Sequence, residues 1–249
     1  LLGMVREALE KDTLSLLYQP VVAVAGNDLS QYQTLLRLRD ADGVLHSAAE
    51  IIPMAERSSL IVDIDRWVMG QALALIQERS AEGQSLRLFV TQSSLTLAAP
   101  DQVEWLAKEL ADGGIDGACV VIELRLEDVA VHLGTVKHFC EAMGPERVRF
   151  CLSQFEAGRE SESLVDQLPL AFVKLARKYT AGTLGAPMRD ELKGLIDRVH
   201  RRQLQVIGHG VEDAQAAATL WMSGIDFIQG NLVQQAGQEM SFDFNQAVL

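Results

Sequence analysis

Tyr18-Gln19-Pro20-Val21-Val22-Ala23-Val24-Ala25-Gly26-Asn27-Asp28-Leu29-Ser30-Gln31-Tyr32-Gln33-Thr34-Leu35-Leu36-Arg37-Leu38 is the stretch that decides the fold. Leu14–Val24 and Tyr32–Leu38 read as two strands, and the segment Ala25–Ser30 is all that joins them, with Gly26-Asn27-Asp28 as the turn. A loop that short cannot hold a crossover helix, so the two strands are expected to pair antiparallel.

Downstream the pattern changes. Apolar runs at Leu86–Thr91, Val120–Leu124, Val148–Leu152, Phe172–Leu175, Gln205–Ile207 and Phe227–Ile228 alternate with stretches of helical period. Several runs are continuously apolar, which suits parallel strands buried on both faces. Helices are predicted at Ile64–Ala81, Asp101–Gly113, Leu126–Met143, Pro187–Arg202 and Glu212–Ser223. Asp101 reads as a helix cap, Gly113-Gly114 as a left-handed stop, and Pro187 as a first-turn proline. Eight strands alternating with helices over 249 residues predict an α/β fold. The architecture expected is a TIM-like (β/α)8 barrel with an antiparallel first strand. No linker-like segment divides it, so residues 1–249 read as one domain.

Composition narrows the function. Hydrophobic residues make up 48% of the chain and charged residues 22%, which excludes collagen, low-complexity disorder and a small disulfide scaffold. A formal net charge of −12 argues against binding a nucleic-acid polymer. Cys119, Cys140 and Cys151 show neither CxxC nor zinc spacing, a usage that fits a reducing compartment. No apolar run approaches the ~20 residues of a membrane-spanning helix, so no membrane insertion is expected. The start, Leu1-Leu2-Gly3, carries neither an initiator Met nor a signal peptide. The expectation is a cytoplasmic domain cut from a longer polypeptide.

In such a barrel the chemistry gathers at the C-terminal ends of the strands. Those positions carry Gln33, Thr91, Glu123, Ser153, Gln154, Lys174, His209, Glu212, Gln229 and Gly230, with Tyr18-Gln19-Pro20 on strand one. The ring is polar but poor in carboxylates, whereas a pair of Mg²⁺ or Mn²⁺ ions wants anionic oxygen ligands. It reads as a binding site rather than a metal centre.

These residues, in this order, resemble the EAL domain, the bacterial cyclic di-GMP phosphodiesterase module. The likeness runs from Tyr18-Gln19-Pro20-Val21-Val22 through Ile52-Pro53-Met54-Ala55-Glu56, Asp65-Arg66-Trp67 and Gly210-Val211-Glu212 to Gln229-Gly230. The resemblance implies the same barrel and a site that holds two metals. The departures fall on that site. Gln33 stands where the name-giving Glu is expected, Thr91 for an Asn, Leu126 for an acid, and Ser153-Gln154 for paired Asp. Ala176 stands for an acid two residues beyond the retained Lys174, and His209 for the first Glu of the strand-seven motif.

The resemblance therefore implies a catalytically inactive EAL domain that serves as a cyclic di-GMP receptor, with no catalytic residue, no metal site and no cofactor. Its implied ligand contacts are Gln19, Leu36, Arg37, Pro53, Asp65, Glu212, Gln229 and Gly230. Arg37 would meet a phosphate with its fork of donors. Gln19 and Asp65 would lie near guanine, Glu212 and Gln229 on the opposite rim, and Leu36 and Pro53 as apolar walls. Within the family the chain is similar to the branch that regulates type IV pili and twitching motility. Members of that branch carry upstream receiver or PAS and degenerate GGDEF modules, so the resemblance implies that residues 1–249 are the C-terminal part of a longer multidomain regulator, and their partners include a PilZ-domain protein. Two rivals stand beside this reading: a nucleotide-independent interaction scaffold and a residual phosphodiesterase.

Each feature also has a plainer explanation. Arg37 could pair with Asp40 or Asp63, and Asp65 could be the N-cap of the helix carrying Trp67. Lys174 could offset Glu123 or Glu212, and Glu123 could be a leftover hydrogen-bonded acid. His209 fits a hydrogen-bonded barrel residue, Trp67, Trp105 and Trp221 fit core or interface, and Glu160–Glu162 fit a solvated surface.

Overall fold

The computed structural model describes residues 1–26 and 29–245. Its strands are β1 (Ser15–Pro20), β2 (Val22–Ala23), β3 (Ser30–Arg39), β4 (Leu45–Ser47), β5 (Leu86–Thr91), β6 (Val120–Arg125), β7 (Arg149–Phe155), β8 (Phe172–Leu175), β9 (Gln205–Gly208) and β10 (Phe227–Ile228). They form one sheet in the order β1-β3-β5-β6-β7-β8-β9-β10-β2, with β4 on the flank of β3. From β3 to β10 every neighbouring pair along this path is parallel.

The first strand brings the two ends of the sheet together. β1 pairs antiparallel with β3, placing Gln19 opposite Gln33, and β2 pairs antiparallel with β10. The single strand expected at Leu14–Val24 is thus two segments with different partners. The change comes after Pro20, which has no N–H to give a ladder, and the Val21 N–H donates to the Gln31 carbonyl (3.0 Å). Beyond β2 the backbone turns at Gly26 (φ 80°), whose N–H donates to the Ala23 carbonyl. Asn27 and Asp28 of the expected turn lie outside the described residues.

Helices α1 (Leu2–Lys11), α2 (Ala48–Arg57), α3 (Ile61–Ala81), α4 (Ser94–Leu97), α5 (Gln102–Gly113), α6 (Leu126–Val131), α7 (Leu133–Ala142), α8 (Arg159–Gln167), α9 (Ala186–Arg201) and α10 (Ala214–Met222) complete the fold. The helix expected over Leu126–Met143 breaks at His132 into α6 and α7. Gly114 (φ 61°) ends α5 as expected, but the Asp101 side chain does not cap it. Asp101 instead takes the Arg66 guanidinium at 2.9 Å. The larger core lies between sheet and helices, while Val21, Ala23, Phe89, Val121, Cys151, Phe172, Ile207 and Phe227 fill the barrel. Residues 237–245 cover Tyr18 and Tyr32: Gly237 bridges Tyr18, and Phe244 packs edge-on against Tyr32.

Candidate ligand-binding site at the barrel mouth

Side chains alternate along a strand, so the residue two positions beyond each interior apolar residue also faces the barrel axis. This places Gln33, Thr91, Glu123, Ser153, Lys174, His209 and Gln229 in the layer above Phe89, Val121, Cys151, Phe172, Ile207 and Phe227. At its centre the buried Lys174 ammonium lies 2.5 Å from Glu123 Oε1 and donates to Gln33 Oε1 at 2.5 Å. The face of Phe89 lies below it, 5.6 Å to the ring centre. Of the two carboxylates considered for Lys174, Glu123 is the one it meets. Among the described residues no group of three or more His, Cys, Asp or Glu comes together as a metal would require.

His209 is half-buried beside this cluster. Burial first, then the charges of Lys174 and Arg177, push its imidazole down to about 3, so it is neutral at physiological pH. Gly210 (φ 67°) lets the chain pass the Arg177 guanidinium, which a Cβ there would meet at 2.4 Å. At Gly230 a Cβ would stand 2.2 Å from the Val211 carbonyl oxygen.

A cavity of about 380 Å³ opens beside the polar layer. Leu35, Leu36, Ile52, Pro53 and Val68 give it apolar walls, and Asp65, Gln92, Ser93, Arg125 and Gln154 give it polar ones. Its α2 wall starts from a Ser47–Glu50 capping box. Pro53 has no N–H to give the Ala49 carbonyl, and both residues line the cavity. Gln154 reaches the cavity from a β-bulge with φ 59°, a conformation non-glycine residues seldom adopt.

Asp65 lies within α3 rather than at its N-cap, and is almost wholly buried. Its Oδ2 accepts the Ser93 N–H (2.8 Å) and the Thr96 hydroxyl (2.6 Å). Burial outweighs those donors and raises the carboxyl from 3.8 to about 7. Next to it, Glu56 takes the Ser93 hydroxyl (3.2 Å) and Arg125 Nη2 (3.0 Å).

The sequence-predicted contacts fall into separate groups. Leu36, Pro53 and Asp65 share the cavity. Gln19, expected beside Asp65, does not line that cavity; it meets Gln229 at 3.2 Å instead and also donates to the Gln234 carbonyl, because β1 runs next to the segment that follows β10. Gly230 follows Gln229 directly, at the turn where Val211 packs. Arg37 is half-buried near the mouth, its Nη1 donating to the Leu36 carbonyl at 2.8 Å. Burial lowers its pKa. Among the described residues it forms no ion pair, neither with Asp63 nor with Asp40, the two partners considered for it, and Asp40 is held by His46. Glu212 is exposed and makes no ion pair among the described residues. Arg125 is a cavity residue that the sequence reading missed. Its signal was alternation, since it stands two residues beyond Glu123 on the same strand face.

A β-barrel with a reversed first strand and a polar site at its strand ends defines a class, and the comparisons name it. The EAL domain family model matches residues 3–236, and the chain belongs to that family. It superposes on the FimX EAL domain from Pseudomonas aeruginosa bound to c-di-GMP with a TM-score of 0.91 and 29% identity, over 98% of both chains. A 76.5 kDa protein from the phbC 3′ region of Thiocystis violacea is 29% identical over 97% of the chain. The cyclic di-GMP phosphodiesterase NbdA of Pseudomonas aeruginosa is 25% identical over 91% of it. The chain spans only 34% and 29% of those two proteins. Among the described residues no helix is long and apolar enough to cross a membrane.

Proposed function

We propose that this domain is a cytoplasmic receptor that binds cyclic di-GMP without hydrolysing it. The observation that carries this reading is that Glu123 is the one carboxylate in the upper barrel layer among the described residues, with neutral Gln33, Thr91 and Ser153 around it and Gln33 accepting from Lys174. The residues present do not fit the two divalent metals that the family resemblance implies. Glu123 is already matched by a cation, and Gln33, Thr91 and Ser153 offer neutral oxygens that cannot balance four positive charges.

Binding remains well provided for. A half-buried Arg37 without a carboxylate partner among the described residues suits a phosphate, because guanidinium–phosphate pairs are charge-assisted and bidentate. Leu36 and Pro53 offer apolar walls, Asp65 an acceptor, and Gln19, Gln229, Gly230 and Glu212 the opposite rim. The FimX EAL domain bound to c-di-GMP supports the same ligand here. We extend the reading to the pilus-regulating branch of the family. The bound state would bias a surface read by a PilZ-type partner, in a chain that also carries PAS or receiver and GGDEF-like modules.

Calorimetric titration with cyclic di-GMP, first in chelator and then in Mg²⁺ or Mn²⁺, tests the proposal. One-to-one binding of equal strength in both buffers is expected. Binding that appears only with metal would overturn the metal-free site, and no binding in either buffer would overturn the receptor reading.

A further inference from the structure

Arg125 reaches the cavity from the end of β6 and lines it together with Asp65. It makes one side-chain hydrogen bond among the described residues, from Nη2 to Glu56, so most of its five N–H donors remain free. Asp65 uses Oδ2 for Ser93 and Thr96, and neither donor engages Oδ1. The cavity therefore combines apolar walls with one acidic acceptor and one forked donor.

That combination selects a purine by its edges. Guanine presents N–H donors at N1 and N2 and acceptors at O6 and N7, and arginine engages O6 and N7 in a bidentate pair. Adenine places an N6 amino group beside N7, which would oppose a guanidinium donor. Resting on the receptor reading above, we infer that Arg125 is a specificity-determining residue. In this inference it donates to O6 and N7 of one guanine base of cyclic di-GMP, while Asp65 Oδ1 accepts from the donor edge of the same base. Glu56, fixed by the Ser93 hydroxyl, holds the guanidinium on the cavity side in the free protein.

The test compares cyclic di-GMP with its 7-deaza analogue, in which N7 is replaced by CH, on the intact domain by calorimetry. The unaltered protein is expected to bind the analogue about tenfold more weakly, as loss of a bidentate base contact implies. Arg125→Met is expected to bind cyclic di-GMP about tenfold more weakly and to treat the two nucleotides alike. Equal binding of both nucleotides by the unaltered protein would overturn the inference, and that comparison needs no variant to fold. A preference for cyclic di-GMP that survives in Arg125→Met would overturn it too. If the unaltered protein bound neither nucleotide, the receptor reading would fall and this inference with it.

Discussion

Two adjacent layers of the barrel interior are built on the same strands and follow opposite rules. The lower layer, with Phe89, Val121, Cys151, Phe172, Ile207 and Phe227, is apolar and closely packed, and its aromatic rings meet edge to face. The upper layer, two residues further along, carries Gln33, Glu123, Ser153, Lys174 and Gln229, all buried. The lower layer holds the fold by removing apolar surface from water. The upper layer holds polar groups that must satisfy one another at a desolvation penalty. The step from the apolar to the polar layer is thus two residues long.

The largest expected effect separates the layers by whether damage can be repaired. Lys174→Met leaves Glu123 buried without its cation and is expected to lower stability by about 3–5 kcal/mol in urea unfolding. Replacing Glu123 with Gln in the same chain should restore most of that loss, because the uncompensated charge is then gone. Phe172→Ala in the lower layer should lose a similar ~3–5 kcal/mol that no single polar change recovers. Failure of the Lys174→Met/Glu123→Gln pair to recover would show that the upper layer is held by packing instead.

Asp65 sharpens the contrast through pH. Its carboxyl is raised from 3.8 to about 7, so between those values the folded protein holds a proton that the unfolded chain has released. This group's contribution to stability is therefore greatest below pH 4, falls as pH rises to about 7, and is flat above. Asp65→Asn keeps an acceptor for Ser93 and Thr96 without a buried charge. It should be more stable than the parent at pH 8, by about 2–4 kcal/mol, and should lose the slope. The same variant should bind cyclic di-GMP more weakly. Thermal unfolding from pH 5 to 8 checks the first expectation and titration the second.

Arg37→Ala should weaken nucleotide binding by about 1.5–3 kcal/mol, as loss of a charge-assisted contact does. Stability should change little, since Arg37 forms no ion pair among the described residues. The smallest effect is expected from Gln33→Glu. The new carboxylate would meet the Lys174 ammonium, and Thr91 and Ser153 would still offer no charge, so hydrolysis should remain absent in a product assay.

The same contrast explains what was legible in the sequence. The apolar layer announces itself, because runs such as Val120–Leu124 and Phe172–Leu175 are continuous and strand-length. The short Ala25–Ser30 connection gave the reversed first strand. Helix α2 escaped because Pro53 in its middle reads as a breaker, although Ser47 and Glu50 form a capping box. The break of the Leu126–Met143 helix at His132 has no sequence punctuation that separates it from a continuous helix. In the site, Leu36, Pro53 and Asp65 line one cavity, whereas Gln19, which the resemblance set beside Asp65, meets Gln229 instead. The sequence left open whether Lys174 meets Glu123 or Glu212, and did not reveal that Gln33 joins them or that Arg37 has no carboxylate partner among the described residues. Both depend on side-chain geometry between strands far apart in the chain. Arg125 stands outside the metal-ligand positions of the resemblance, and only the fold brings it to the cavity.

The most direct test of the central claim is the phosphorus NMR spectrum of cyclic di-GMP incubated with the domain in saturating Mg²⁺. The account predicts a phosphodiester resonance shifted by binding and unchanged in total intensity after prolonged incubation. Growth of a phosphomonoester resonance, the mark of the ring-opened dinucleotide, would contradict it.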